Sequence, residues 1–216
     1  MVGVVNVLGI SSSPRLDGNS KLLMDAVLEG AEQSGHTVGS AYLVNAIAGH
    51  LRDCRTCRGP DGSCSIQDGY AQLLLERVLP ADAIVIATPL YWYGVSGLLK
   101  TFLDRIFCFT SAGYNDSQMV LERLPRKRLA LVISAEESYR GATLGVTASV
   151  QELARYLHWD LVGVVEGVAN RRGEVRLDPG RPIERARALG ERLFTARVTD
   201  YRLDTERSAA VWEPDS

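Results

Sequence analysis

The sequence predicts an α/β fold: a three-layer, doubly wound sheet of five parallel strands in the order 2-1-3-4-5. Three observations lead there. Short apolar runs alternate with amphipathic helical runs along the chain, and strands that alternate with helices form parallel sheets covered on both faces. Several runs are apolar throughout, not at every second position, which marks strands buried on both sides. Five strand–helix units follow one another, enough for one doubly wound sheet.

Taken in order, residues 4–10 form an apolar run that ends in a turn, read as the first strand. Residues 21–33 follow as a helix, with Leu22, Leu23, Ala26, Val27 and Gly30 on one face. Residues 37–44 are a second strand candidate and 69–79 a helix. The segment Ala-Ile-Val-Ile-Ala-Thr at 83–88 is the strongest strand signal. Residues 97–107 are helical, placing Leu98, Leu99, Phe102, Leu103 and Ile106 inward and the Lys100/Asp104 pair outward. Strands at 128–134 and 160–167 and helices at 143–157 and 183–198 complete the pattern. Residues 1–198 therefore read as one domain, with 50–68 as a cysteine-containing insertion loop. Residues 199–216 read as an extended polar tail available to a neighbouring subunit.

A chain of 216 residues with 46% hydrophobic and 23% charged residues is long and apolar enough to bury a core without disulfides. The net charge of −2 gives no bulk attraction to nucleic acid or to anionic lipid. No apolar run approaches the roughly 18 residues needed to cross a bilayer. The apolar start is too short, and lacks the basic residues, for a signal peptide. A cytoplasmic protein with neither nucleic-acid nor membrane partners is expected.

In doubly wound sheets ligands bind beyond the carboxyl ends of the strands, so the loops after Ile10, Thr88 and Ser134 are where chemistry is sought. The first carries Ser11, Ser12, Ser13, Pro14 and Arg15, then Gly18, Asn19 and Ser20 at the start of a helix. This is the composition of a phosphate cradle. Gly and Pro bend the loop so that N–H groups converge, the helix N-terminus adds partial positive charge, and Arg15 can neutralise an anion. A plain helix cap would need only Asn19 or Ser20. G-x-G-x-x-G and G-x-x-x-x-G-K-S/T are both absent, which argues against a dinucleotide fold and a P-loop. After Thr88-Pro89, the second loop places Leu90, Tyr91, Trp92, Tyr93 and Gly94 at the same edge. Flat apolar surface there suits a planar ring system. An oligomer interface built on Tyr and Trp is the other reading, and a dimer over the same edge would satisfy both.

The Ser-Pro-Arg-x-x-Gly-Asn-Ser loop and the segment P-x-Y-W-x-G-x-x-G-x-L-K-x-F-x-D-R (residues 89–105) resemble the NADPH-dependent FMN reductases and iron–sulfur flavoproteins of the flavodoxin-like superfamily. The resemblance covers residues 3–135. It implies FMN, with its phosphate held by Ser13, Arg15, Asn19 and Ser20 and by Ser11 as a further candidate. It places the isoalloxazine ring against Pro89, Leu90, Tyr91, Trp92, Tyr93 and Gly94, with Ser134, Ala135 and Glu136 closing another side. A homodimer or homotetramer is implied as well.

Iron–sulfur flavoproteins carry a compact four-cysteine run, and here Cys54, Cys57 and Cys64 stand in that region with Pro60 at the position of the third cysteine. Three thiolates do not supply the four ligands of a 4Fe–4S cluster, and Cys108, beyond the next helix, is not expected to reach them. Three readings stay open: free thiols; zinc bound by the three cysteines with His50 or another ligand; or a cluster with a non-cysteine ligand or a redox-active Cys54–Cys57 pair. His36 reads as a cap residue, His158 as packing before the last strand, and Arg171-Arg172 as a basic turn.

The expected activity is FMN-dependent two-electron transfer from NAD(P)H to a flavin, a quinone or a small organic acceptor. No dedicated acid or base is evident, since the cofactor carries the chemistry. The alternatives are a substrate-specific FMN dehydrogenase of a small cyclic metabolite and a non-enzymatic electron carrier. The near-neutral charge argues against the carrier.

Overall fold

The computed structural model describes residues 5–139 and 141–196. The expectations for the tail at 199–216, for the outermost residue of the first strand and for the end of the last helix lie outside the described residues. The strands are β1 (Asn6–Ser11), β2 (Thr37–Tyr42), β3 (Ala83–Pro89), β4 (Arg128–Ala135) and β5 (Asp160–Val168). They form one parallel sheet in the order β2-β1-β3-β4-β5, the expected topology. β3 lies at the centre and is buried at all seven positions, which is why its sequence is apolar on both faces. The register sets Ser11 beside Ala87 and Pro89 beside Ser134, so the carboxyl ends of the three central strands form one edge.

Alternate residues of each strand enter opposite layers. Ile10, Ile84, Ile86 and Leu131 pack with helices α4 (Gly97–Arg105) and α7 (Leu144–Tyr156). Val7, Val85, Ala130 and Val132 pack with α1 (Asn19–Gln33) and α8 (Pro182–Glu191). α1 and α8 cross with their backbones in contact: a Cβ on Gly30 would lie 2.1 Å from the Arg187 carbonyl oxygen, and one on Gly190 2.0 Å from that of Val27. Only glycine fits at this crossing.

Some elements depart from the sequence reading. The second strand stops at Tyr42, and Leu43–Ala46 (α2) closes a single helical turn. The helix expected at 69–79 begins as one α turn, Tyr70–Gln72 (α3), and continues as a wide π turn over Leu73–Val78. There the Leu79 N–H reaches back five residues to the Leu74 carbonyl. The last helix is regular only to Glu191. Beyond α4 the chain adds α5 (Phe107–Thr110) and α6 (Ser117–Arg123), neither of which the sequence singled out.

Residues 47–69 contain no long element, yet both ends of the segment are fixed. Asp68 and Arg105 pair with side chains only 4% and 1% exposed. The Asp68 carboxylate also accepts from the Ala48 and Tyr70 N–H groups. Arg105 donates to the Gly49 carbonyl and lies 4.3 Å from the centre of the Tyr70 ring.

Candidate functional site

The loop after β1 is drawn into the protein by its serines. Ser12 donates through both its N–H and its Oγ to the Ala87 carbonyl on β3. Ser13 Oγ accepts from the Arg15 N–H at 3.1 Å, which folds the loop back on itself. Ser11, Ser12, Ser13 and Ser20 are buried, while Arg15 stands in solvent. Ser11 Oγ is buried and has no hydrogen-bond partner. A buried hydroxyl left unpaired costs about 1–3 kcal/mol.

α1 starts after Gly18 with no side chain capping its first N–H groups. Asn19 and Ser20 are therefore not the plain cap that the sequence offered as the simpler reading. Gly18 packs closely: a Cβ there would meet Ser13 Oγ at 3.3 Å and the Arg15 carbonyl at 3.4 Å, a tight fit. The Asn19 amide is committed elsewhere. It donates to the Arg171 carbonyl at 2.9 Å and accepts from the Gly173 N–H at 2.9 Å. Together with the Arg172–Asp17 pair, it clips the turn after β5 onto the loop after β1. The basic turn at Arg171-Arg172 thus belongs to the rim of this edge.

The aromatic loop is organised differently. The Leu90 N–H bonds the Ser134 carbonyl at 2.8 Å, extending the sheet by one residue. Tyr91 and Gly94 then exchange backbone hydrogen bonds of 3.1 and 3.0 Å around a two-residue turn. Its central residues are Trp92 (φ 50°) and Tyr93 (φ 59°), both left-handed. Such a turn ordinarily takes Asn or Gly. Two aromatics here store backbone strain of the kind that clusters at functional sites. Trp92 is 98% exposed, and Tyr91, Tyr93, Tyr139 and Leu144 are exposed as well. Tyr93 Oη lies 3.5 Å from Glu137 Oε1. Hydrogen bonding to Tyr139 and the Glu137 charge hold the Tyr93 phenol above its ordinary pKa. Ser134 is half-buried and Ala135 buried beside this loop, while Glu136 is exposed.

The two loops are joined by Ser96, a residue the sequence reading passed over. Its Oγ donates to the Ser12 carbonyl at 2.9 Å and accepts from the Leu99 N–H at 3.2 Å, capping α4. Its N–H bonds Thr88 Oγ1 at 3.2 Å. The available signal was a serine immediately before an apolar helical run, the ordinary N-cap signature.

The cysteine segment corrects one expectation. Cys108 does reach: its Sγ lies 3.1 Å from that of Cys54, both residues being buried. α5 follows α4 directly through the helical Ile106, and this places Cys108 against the insertion. Burial raises the pKa of both thiols. Cys57 and Cys64 are half-buried and free. His50, one proposed zinc partner, bonds Thr101 Oγ1 through Nδ1 at 2.8 Å. Two thiolates on one tetrahedral zinc at about 2.3 Å each would sit about 3.8 Å apart, and cluster ligands on separate irons farther still. The observed sulfur pair is closer than either. Among the described residues, no group of three or more His, Cys, Asp or Glu is arranged to hold a metal. Cys64 also neighbours Cys108, so the insertion thiols gather around one buried point without forming a metal-binding arrangement among the described residues.

A cradle of small polar residues at a helix N-terminus, beside exposed aromatics on the carboxyl edge of a 2-1-3-4-5 sheet, defines the flavodoxin-like class of ligand-binding α/β proteins. Residues 5–170 match the NADPH-dependent FMN reductase family, and the chain belongs to it. An iron–sulfur flavoprotein of Archaeoglobus fulgidus is 32% identical over 102 residues, 47% of this chain and 46% of that one. The chain thus spans about half the length of the iron–sulfur flavoproteins it matches. A Bacillus subtilis protein whose name describes an NAD(P)H-dependent FMN-containing oxidoreductase is 25% identical, covering 78% of this chain and 88% of that one. The solved Trp repressor binding protein of Bacillus subtilis shares the fold, with a TM-score of 0.65, 20% identity, and coverage of 88% and 99%. No helix among the described residues is long and apolar enough to cross a membrane.

Proposed function

We propose that this chain is an FMN-dependent oxidoreductase that moves two electrons from NAD(P)H to a small planar acceptor such as a flavin, a quinone or another organic molecule. The observation that carries this reading is the buried, unpaired Ser11 hydroxyl in a serine-lined cradle at an uncapped helix N-terminus. An unpaired buried donor of this kind calls for an acceptor, and a phosphate oxygen is one. When bound, FMN supplies the hydride and electron chemistry.

The residues present fit its phosphate. Ser11, Ser13 and Ser20 offer hydroxyls, and the first N–H groups of α1 add partial positive charge. Arg15, free to swing from the surface, offers full charge. Asn19 serves at one remove, holding the 171–173 turn against the cradle. Pro89, Leu90 and the backbone of Tyr91–Gly94 form the wall for the flavin ring, with Ser134 and Ala135 at its other side. Trp92 and Tyr93 stand where they exclude water from an acceptor stacked on that ring. A second copy of the chain, packed over the same aromatics, would complete the enclosure.

The test is an absorbance spectrum of the purified protein after FMN addition, followed by anaerobic titration with NADPH. Bound flavin bleached by NADPH is the expected result. A protein that takes up no FMN overturns the reading, and bound flavin that NADPH leaves oxidised overturns the donor assignment.

A further inference from the structure

We propose that Cys54 and Cys108 are a redox-active dithiol that a hydroperoxide converts to a disulfide, covalently fastening the 50–68 insertion to α5. The two residues are 54 positions apart in sequence, yet their sulfurs are 3.1 Å apart. Forming the bond requires an approach of about 1 Å, since a disulfide is roughly 2.05 Å long. Elements that pre-position two reacting atoms in this way make the closing step effectively unimolecular. The surroundings already hold both partners in place. Arg58 donates to the Cys108 carbonyl at 2.7 Å, to the Gly62 carbonyl at 2.8 Å and to Ser111 Oγ. Asn115 bonds the Asp61 carbonyl at 2.8 Å. The insertion and the α5 region are thus docked before any oxidation.

The roles of the two sulfurs follow from their positions. Cys54 is 6% exposed and lies in the outer segment, whereas Cys108 is 2% exposed on α5. Burial raises both thiols, but the Cys108 hydrogen bond and the Arg58 charge act in favour of a Cys54 thiolate. Burial, with the neighbouring Cys54 and Cys64 thiols, raises Cys108 as well. Cys54, on the insertion and the less buried of the two, is taken as the attacking group and Cys108 as the resolving one.

In the first step the Cys54 thiolate attacks the O–O bond of hydrogen peroxide. That bond breaks, one oxygen leaves as water after taking a proton, and Cys54 becomes a sulfenic acid. In the second step Cys108 gives up its proton and attacks the Cys54 sulfur. The S–O bond breaks and a second water leaves. Two thiols and one peroxide give one disulfide and two waters, with two electrons passing from sulfur to oxygen. A dithiol such as dithiothreitol reverses the reaction by exchange. Because both thiols are raised by burial, the oxidation is slow at neutral pH and accelerates as pH rises.

The experiment uses the full chain and needs no flavin. Protein is treated with hydrogen peroxide, denatured, alkylated, digested and mapped by mass spectrometry. The expected result is a fall from four alkylatable thiols to two, and a peptide pair joined through Cys54 and Cys108 that dithiothreitol separates. The Cys57→Ser/Cys64→Ser double variant keeps this cross-link. In Cys108→Ser, Cys54 is trapped by dimedone as the sulfenic acid; if that variant fails to fold, the wild-type map decides alone. Four unmodified thiols, a cross-link through Cys57 or Cys64 instead, or purified protein whose thiols are blocked by bound iron or zinc would each overturn the proposal.

Discussion

The two irregular regions of this molecule treat their polar groups in opposite ways. At the carboxyl edge, Ser11 Oγ is buried without a partner, α1 begins without a side-chain cap, and Trp92 and Tyr93 hold left-handed backbone in full view of solvent. In the 47–69 segment the polar groups close on their neighbours. Asp68 accepts from Arg105 and from two backbone N–H groups, Arg58 bridges the Gly62 and Cys108 carbonyls, and Asp61 receives both the N–H and the hydroxyl of Ser63. Both are irregular backbone. An unpartnered buried hydroxyl and strained left-handed backbone at bulky residues mark the edge, whereas the one buried orphan at the segment's anchor, Arg105 Nε, belongs to a guanidinium already paired with Asp68. The edge keeps features that the proposed ligand would relieve; the segment folds on its own contacts.

The sharpest way to break this comparison is Asp68→Asn, which removes the charge that holds the segment. Burial alone would raise the Asp68 carboxyl, but hydrogen bonds from Arg105 and from the Ala48 and Tyr70 N–H groups outweigh it and hold the group below its ordinary value. A depressed carboxylate contributes stability that is complete above the unfolded pKa of about 3.9 and is lost as pH falls through the folded value. Leaving Arg105 buried without its partner costs about 3–5 kcal/mol at pH 7, read by urea unfolding. The gap between wild type and variant closes below about pH 4. Affinity for FMN in the folded fraction changes by less than about two-fold, since distant sites act independently. A stability loss under about 1 kcal/mol would mean that other contacts hold the segment.

Much of the fold is legible in the sequence because burial on both faces leaves a direct mark. The 83–88 run is apolar at nearly every position because β3 is the central strand, and Gly30 stands on the inward face of α1 because Arg187 passes against it. The cradle and the aromatic loop are legible because their residue types are unusual together and lie close in sequence. What escapes is whatever depends on distant pairing. Cys108 is 54 residues from Cys54, and Arg105 is 37 from Asp68. No periodicity announces either meeting, because each depends on how α4 and α5 lie against the insertion. The hydrogen bonds of Asn19 escape for the same reason: its partners at Arg171 and Gly173 come from the far end of the chain.

Arg15→Ala tests the receiving side of the comparison. Removing a charged hydrogen bond to phosphate costs about 1.5–3 kcal/mol of binding, so the Kd for FMN rises about 10–100-fold by fluorescence titration. Arg15 is exposed and holds no part of the fold together, so unfolding shifts by less than about 0.5 kcal/mol. Unchanged affinity would remove Arg15 from the phosphate site. Ser96→Ala strikes the link between the two edge loops and affects both properties at once. The α4 cap is lost and the buried Ser12 carbonyl loses its donor, for about 1–2 kcal/mol of stability. A weakening of FMN binding should accompany it, because phosphate loop and ring loop lose their common tie. Loss of stability with FMN affinity intact would show that the two loops hold their spacing without Ser96.

The smallest effect is expected at Trp92, and its sign is what matters. The side chain is 98% exposed, so its removal sacrifices almost no burial within the chain. Its backbone sits at φ 50°, where a bulky residue is strained and Asn is tolerated. Trp92→Asn should therefore stabilise the unliganded protein by roughly 0.5–1 kcal/mol, seen as a small rise in Tm, while the rate of electron transfer to a planar acceptor such as a quinone falls. Opposite movement of stability and turnover is the signature of a strained residue kept for function. If Trp92→Asn lowers Tm instead, the indole packs against something in the folded state, such as a second copy of the chain. The Tm of the wild type would then depend on protein concentration while that of the variant would not.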